Sequence, residues 1–141
     1  MKNYGFTLIE TILVFALMGI LILFAVPKIP TDFGYMDRMA EEFLNDVRFI
    51  QMEAMKYPKP IYQISVYPYE RKYLLKNEYK RIKEVNFNER YSISYTGSGG
   101  LSFNNDGTPV NAGTFTIKDN KTKKEISVTI VPTTGRTIIV E

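Results

Sequence analysis

The 141-residue chain contains no cysteine, no histidine and no tryptophan. Without cysteine it can form no disulfide, no thiolate zinc site and no iron–sulfur cluster, and it has no thiol nucleophile. Without histidine it lacks the commonest general base and the commonest metal ligand. Ordinary hydrolase and metalloenzyme chemistry is therefore disfavoured, and no catalytic residue, metal site or cofactor is predicted. The composition favours a binding, structural or assembly role.

Charge is missing from a long stretch near the start of the chain. No charged residue lies between Glu10 and Lys28, and the segment from Thr11 to Val26 is almost entirely apolar. A helix from Phe6 to Val26 would be about 31 Å long, because an α-helix rises ~1.5 Å per residue. That length is enough to cross the hydrocarbon core of a membrane. The segment is therefore a candidate membrane helix.

Two ordinary explanations of this segment compete. A secretory signal peptide is disfavoured, because one lysine precedes the run and no small-x-small cleavage pattern precedes Pro27. A plain single-pass anchor does not explain Glu10, since a carboxylate costs roughly 2.5–3.5 kcal/mol at the centre of a membrane and less near the interface. A partner of opposite charge is therefore expected, and a free amine nearby would be suitable.

The leader carries a more specific pattern. A short polar leader is followed by Gly5, Phe6 and Glu10, and then by the unbroken apolar run. This pattern over residues 1–27 resembles the N-terminal signal of type IV pilins and pseudopilins. The resemblance implies that a prepilin peptidase cleaves after Gly5 and N-methylates Phe6. It also implies that Glu10 pairs with the Phe6 amine of a neighbouring pilin subunit in a filament.

Beyond the apolar run, prolines and glycine mark a break before helical periodicity resumes. Apolar residues recur at spacings of three and four from Met36 to Met55, which predicts an amphipathic helix over roughly 36–57. Pro58 and Pro60 would end that helix. The predicted organisation has four parts: a leader at 1–5, a transmembrane and assembly helix at 6–27, a linker and amphipathic helix at 28–60, and a β-rich head at 61–141.

The remaining residues alternate between apolar and polar, which is typical of antiparallel strands. Such alternation predicts strands at Tyr62–Val66, Tyr91–Tyr95, Thr114–Ile117 and Ile126–Ile130, and the apolar segment Thr137–Val140 is predicted as a further short strand, among about six or seven in all. The predicted fold class is α+β: a long N-terminal helix, with a transmembrane half and an amphipathic half, packed on an antiparallel β-sheet head. This order is pilin-like and resembles the head of GspH/FimT-type minor pseudopilins.

Charge is unevenly distributed beyond the apolar run. Residues 32–53 carry six acidic and two basic side chains, whereas residues 54–141 carry fourteen basic and eight acidic ones. Basic side chains with tyrosines nearby can bind nucleic acid, although lysines also protect a solvated sheet edge from pairing. The candidate nucleic-acid-binding residues are Lys80, Arg81, Lys83, Lys121, Lys123, Lys124 and Arg136.

Three functions follow from these features. The first is a structural minor pilin or pseudopilin, not an enzyme, held in the cytoplasmic membrane with its head outside and then assembled into a type IV pilus, type II secretion or DNA-uptake filament. The second is a membrane-anchored module that binds DNA through the basic face of the head. The third is an anchored enzyme using carboxylates such as Glu70, Glu84 and Asp106, although nothing in the sequence places any two of them together.

Overall fold

Four stretches of the chain are described by the structure, a computed structural model: residues 7–25, 34–56, 62–78 and 80–140. The chain divides into two units, Met1–Tyr35 and Met36–Glu141, and each is described by itself. The first unit contains helix α1, Leu8–Ala25. Helix α2, Tyr35–Ala54, belongs to the second unit from Met36 onwards, together with the nine strands of the described residues.

Helix α1 begins directly after Thr7, which acts as its N-cap. The peptide N–H of Thr7 donates a hydrogen bond to Glu10 Oε2 at 3.2 Å, and the Thr7 hydroxyl donates to the same oxygen at 3.2 Å. A Glu three residues after the cap commonly reaches back in this way, as one half of a capping box. Within the described residues, no helix combines the length and the apolar character required to cross a membrane.

Helix α2 is amphipathic, and its apolar stripe lies in the core of the head. The buried residues recur every three or four positions along the helix, as expected for one buried face. They are Met36, Met39, Ala40, Phe43, Leu44, Asp46, Val47, Ile50 and Ala54. Sequence periodicity predicts this helix over 36–57; the structure places it at Tyr35–Ala54, and the prolines at 58 and 60 lie outside the described residues.

The strands form three antiparallel sheets. Their bounds are β1 Tyr62–Tyr67, β2 Lys72–Asn77, β3 Lys80–Asn86, β4 Tyr91–Tyr95, β5 Ser102–Phe103, β6 Pro109–Val110, β7 Thr114–Asp119, β8 Glu125–Ile130 and β9 Thr137–Val140. One sheet has the order β1-β2-β3, the second has the order β4-β7-β8-β9, and β5 pairs with β6. A bridge between Ile64 and Leu101 continues from β1 towards β5.

An aromatic cluster joins α2 to two of these sheets. The rings of Phe43 on α2 and Phe115 on β7 are stacked, with centroids 4.0 Å apart. Tyr73 on β2 meets Phe43 edge-on at 5.3 Å, and Phe87 packs beside both Tyr73 and Phe115. Aromatic rings bury large areas and favour these stacked and edge-on geometries. The core of the head therefore lies between α2 and the sheets built by β2 and β7.

The predicted α+β class is confirmed, since α1 and α2 accompany antiparallel sheets. The five strands predicted from the sequence are present, as β1, β4, β7, β8 and β9. The predicted total of six or seven strands is too low, because the described residues also form β2, β3, β5 and β6. Strand β3 buries only Val85, so its sequence shows no alternation of buried and exposed residues. Strands β5 and β6 have two residues each, which is too short for a period of two to be recognised.

Candidate functional site

The structure describes only one of the residues predicted to carry the processing and assembly signal. Gly5 and Phe6 lie outside the described residues, so cleavage and methylation at this bond stay predictions. Glu10 is described and lies in the first turn of α1. Its side chain reaches back to Thr7, which places the carboxylate at the start of the helix, where the positive end of the helix dipole favours a negative group.

The Glu10 carboxylate has capacity for a further partner. Both hydrogen bonds from Thr7 end on the same oxygen, Oε2. A carboxylate has about four lone-pair sites, so Oε1 can accept a donor such as an amine from another molecule. Around it, Leu8 and Ile9 are 80% and 74% exposed within this unit, as are most large side chains along the helix. The geometry suits a helix that is covered by other apolar surfaces.

Two of the three basic residues predicted on β3 are neutralised by ion pairs. Arg81 pairs with Glu84 on the same strand. Lys83 Nζ lies 2.8 Å from Glu42 Oε1 and 2.8 Å from Asp46 Oδ2, so it joins β3 to α2. Lys83 is therefore a structural cation, and these two side chains contribute little net positive potential.

The third of these basic residues, Lys80, is exposed at the start of β3, and the other predicted cations lie at two opposite ends of the second sheet. Lys121, Lys123 and Lys124 lie in the exposed turn between β7 and β8, and their side-chain amines have no acidic partner among the described residues. Arg136 precedes β9 and lies beside the opposite end of β8, as the Val131–Arg136 backbone hydrogen bond places it. A six-residue strand spans about 20 Å, so the structure does not gather the predicted cations into one patch.

A buried polar cluster that sequence reasoning missed holds α2 on β2 and β3. The Tyr73 hydroxyl donates to Asp46 Oδ2 at 2.7 Å, and Lys83 donates to both Asp46 oxygens at 2.9 and 2.8 Å. Burial, followed by the hydrogen bond to Asp46, raises the pKa of Tyr73 above its usual value. Burial lowers the pKa of Lys83, but its hydrogen bonds to Asp46 and Glu42 outweigh that effect and the net shift is upward. The cluster keeps Tyr73 protonated and Lys83 charged at neutral pH.

A second polar cluster closes one end of the four-stranded sheet. Arg90 donates to both carboxylate oxygens of Asp119, from Nε at 3.0 Å and from Nη2 at 2.6 Å. The Lys121 amide and the Thr122 hydroxyl donate to the same carboxylate at 2.8 and 2.7 Å. The Arg90 hydrogen bonds, followed by those from the turn, hold the pKa of Asp119 well below its usual range. The arrangement is a bidentate pair that fixes the β7–β8 turn.

Of the three carboxylates considered for an enzyme, two share one lysine and the third lies in a turn. Lys72 Nζ lies 2.5 Å from Glu70 and 3.7 Å from Glu84, so it bridges the two carboxylates, and Arg81 also pairs with Glu84. Asp106 lies in the turn between β5 and β6, where it accepts hydrogen bonds from the Thr108 amide and hydroxyl. Among the residues that the structure describes, no group of three or more potential ligands could hold a metal ion.

A groove of about 380 Å³ lies beside β1, lined by tyrosine side chains and a glycine-rich loop. The bridge between Ile64 and Leu101 would continue to Val66 and Gly99 if the chain stayed extended. Gly99 instead has a φ of 77°, which turns the loop away from the strand. Tyr95 lines this groove, and its burial raises the pKa of the hydroxyl to about 12.

Comparison with known proteins identifies the N-terminal segment. Residues 1–26 match the family model described as the prokaryotic N-terminal methylation motif. The match supports a type IV pilin-like precursor that carries a cleavage and methylation signal; such proteins are structural, are processed by a prepilin peptidase and assemble with other pilin subunits. No curated protein and no solved structure matches the chain significantly.

Proposed function

We propose that the protein is a structural minor subunit of a type IV pilin-like filament, of the kind that serves a pilus, type II secretion or DNA uptake. The observation that carries the proposal is the methylation motif at residues 1–26, which ends with the apolar helix α1. The head that follows is of α+β class, with one amphipathic helix and antiparallel sheets. We propose further that this head is of the GspH/FimT type.

Each residue of the motif has a chemical role in the proposal. Cleavage after Gly5 creates a free amine at Phe6, and that amine is then methylated. Glu10 accepts the charged Phe6 amine of a neighbouring subunit, because its carboxylate keeps an oxygen free of the Thr7 hydrogen bonds. An opposite charge offsets the cost of placing a carboxylate among apolar helices.

Before assembly, the precursor would be held in the cytoplasmic membrane through residues 6–27, with the head outside. Helix α1 covers Leu8–Ala25 of that segment, and its large apolar side chains are exposed within its own unit. After processing, the same helix would pack against the helices of other subunits. The large apolar surface is then buried in both states, first by lipid and later by protein.

Mass spectrometry of the chain, produced with and without a prepilin peptidase, tests the processing step. We expect the peptidase to remove residues 1–5 and to leave a chain that begins at methylated Phe6. The chain produced without the peptidase is the matched control and should begin at Met1. A chain that still begins at Met1 in the presence of an active peptidase would contradict the proposal.

The second candidate function is DNA binding by the head. The observation that favours it is the β7–β8 turn, where Lys121, Lys123 and Lys124 are exposed and have no acidic partner among the described residues. Lysines that neutralise phosphates release counterions, so binding falls steeply as salt rises. Lys80 and Arg136 would add to the electrostatic attraction from other parts of the head.

A triple substitution of the turn lysines to Gln tests this candidate. It should weaken DNA binding and reduce the slope of log affinity against log salt by about three, roughly one for each phosphate that is no longer neutralised. Lys118→Gln is the matched control, because Lys118 lies on the same sheet but pairs with Glu125. DNA binding that is absent at low salt, or that is unchanged by the triple substitution, would exclude a DNA-binding role for this turn.

A further inference from the structure

Strand β9 is an open edge of the four-stranded sheet. It pairs with β8 on one side and with no other strand of the described residues. The Val131 amide donates to the Arg136 carbonyl, and antiparallel pairing then directs the backbone groups of Ile138 and Val140 towards β8 as well. The N–H and C=O groups of Thr137 and Ile139 therefore point outwards from the sheet edge.

The side chains of β9 do not protect this edge. Ile138, Ile139 and Val140 are 40%, 37% and 53% exposed, and β9 contains no charged residue. Strand β3, which is one edge of the three-stranded sheet, carries four charged side chains in seven residues. Proteins commonly place charges on an edge strand to prevent pairing with another chain. By that criterion β3 is protected and β9 is open to pairing.

We propose that β9 is an interaction surface for a second copy of this chain, through antiparallel pairing of the two β9 strands about a two-fold axis. Ile138 then faces the partner's Ile138, and each outward N–H of Thr137 and Ile139 meets an outward C=O of the other strand. The pair buries the exposed apolar side chains of both strands, which is favourable in proportion to the area removed from water. The contact uses the same surface on both copies and closes at two.

Charge at the two ends of β9 selects a second copy in this orientation. Arg136 precedes the strand, is exposed and has no acidic partner among the described residues. Glu141, of opposite charge, follows the strand in the sequence. Antiparallel pairing about Ile138 brings Arg136 of each copy beside Val140 of the other copy, which the acidic Glu141 follows in the sequence. Parallel pairing would place like charges together, which is unfavourable.

Site-specific disulfide formation tests the pairing, and the native chain simplifies the experiment because it has no cysteine. Ile138→Cys is introduced into the full-length chain in mild detergent, and cross-linked dimer is measured on a non-reducing gel after mild oxidation. Opposed residues of this kind lie within disulfide reach. Ile82→Cys is the matched control, because Ile82 is 48% exposed on the charged edge strand β3. We expect about tenfold more dimer from Ile138→Cys, since only paired β9 strands hold two thiols at bonding distance.

A proline substitution separates strand pairing from random collision. The Thr137 amide points outwards, so Thr137→Pro removes an intermolecular donor without removing a hydrogen bond to β8. In the Ile138→Cys background it should abolish the cross-link while leaving the thermal unfolding temperature almost unchanged. If the proline variant unfolds, Ile139→Lys replaces it, because a charge on the edge opposes pairing.

The outcomes are distinct. Equal cross-linking at Ile82 and Ile138, no cross-linking at Ile138, or a cross-link that survives in a folded variant would overturn the pairing. Pairing of two β9 strands does not require the chain to assemble into a filament. A chain that also carries Glu10→Ala should therefore keep the Ile138 cross-link, even where that substitution impairs assembly.

Discussion

The Tyr73 hydroxyl on β2 donates a 2.7 Å hydrogen bond to Asp46 Oδ2 on α2, within the buried interface between helix and sheet. Asp46 is only 9% exposed, and Lys83 balances its charge from β3. A buried carboxylate is tolerated only when it is paired and hydrogen-bonded. These contacts therefore offset the free-energy cost of burying the Asp46 carboxylate on the apolar stripe of α2.

Substitution of either Tyr73 or Asp46 should destabilise the head, and the two substitutions should differ in how much. Tyr73→Phe loses one hydrogen bond to a charged group and should lower the free energy of unfolding by about 1.5–3 kcal/mol. Asp46→Ala should cost at least as much, about 3 kcal/mol, because it leaves the Tyr73 hydroxyl buried without its acceptor and removes a partner of Lys83. Urea unfolding followed by circular dichroism measures both. Glu41→Ala, at an exposed position beyond the first turn of the same helix, should change stability by less than about 0.5 kcal/mol.

The pairing of Asp119 with Arg90 predicts a stability that depends on pH. The pKa of Asp119 is lowered in the folded chain, so its contribution to stability is fully present above the unfolded value of about 4 and is lost as pH falls below it. Asp119→Asn removes that contribution at neutral pH. The difference in unfolding free energy between the native chain and the variant should therefore be largest from pH 5 to 7 and should shrink towards pH 3.

Urea unfolding at several pH values measures this difference. Glu125→Gln is a suitable control, because Glu125 is exposed and pairs with Lys118 on the surface. Its effect should be small at every pH, since exposed ion pairs contribute little. An Asp119→Asn difference that stays constant from pH 7 to pH 3 would show that the charge of Asp119 is not what stabilises the turn.

Two glycines with similar backbone angles should respond differently to alanine. Gly99 and Gly135 have φ values of 77° and 65°, so a side chain at either position costs about 1–2 kcal/mol of backbone strain. A Cβ at Gly99 would meet nothing closer than 3.7 Å, whereas a Cβ at Gly135 would lie 2.6 Å from the carbonyl oxygen of Gly107. Gly135→Ala should therefore cost clearly more than Gly99→Ala.

Thermal unfolding of the two variants separates backbone strain from steric clash. Gly99→Ala reports the strain alone, and the additional destabilisation in Gly135→Ala reports the clash with the β5–β6 turn. Equal destabilisation would mean that the turn around Gly107 moves aside at no cost.

Substitution of Glu10 tests its proposed role in assembly. Glu10→Ala should leave the chain in the membrane fraction, because it removes a charge from an apolar segment, but most filament incorporation should disappear together with the partner for the Phe6 amine. Membrane fractionation and immunoblotting of sheared filaments measure the two steps. Glu41→Ala, at an exposed position of α2, controls for removal of a carboxylate elsewhere. Normal incorporation of Glu10→Ala would remove the assembly role from this residue.

The sequence predicts those parts of the head where one face of an element is buried and the other is solvated. Strand β7 alternates strictly between half-buried and buried residues, and the buried face of α2 repeats at spacings of three and four, so a period of two or of 3.6 is visible. Strand β2 is harder to recognise, because Leu74, which is half-buried, lies between the buried Tyr73 and Leu75 and hides the alternation.

The polar contacts of the candidate sites are not visible in the sequence, because their partners lie far apart in the chain. Lys83 lies within a run of basic residues and resembles part of a nucleic-acid surface, yet its partner Asp46 is 37 residues away. Asp119 and Arg90 are separated by 29 residues and meet only because β4 pairs with β7. Only the fold reveals which charges are already neutralised. The N-terminal motif is predictable because its meaning depends on consecutive residues.

The position of Asp46 on the apolar stripe has a consequence for how α2 is aligned. Phe43, Val47 and Ile50 are all fully buried hydrophobic residues, and a helix held by such contacts alone could slide by one turn and still bury a similar surface. Asp46 would then lose Tyr73 and Lys83 and become an unpaired charge. The carboxylate thus fixes the helix axially, much as a polar residue fixes the alignment of a coiled coil.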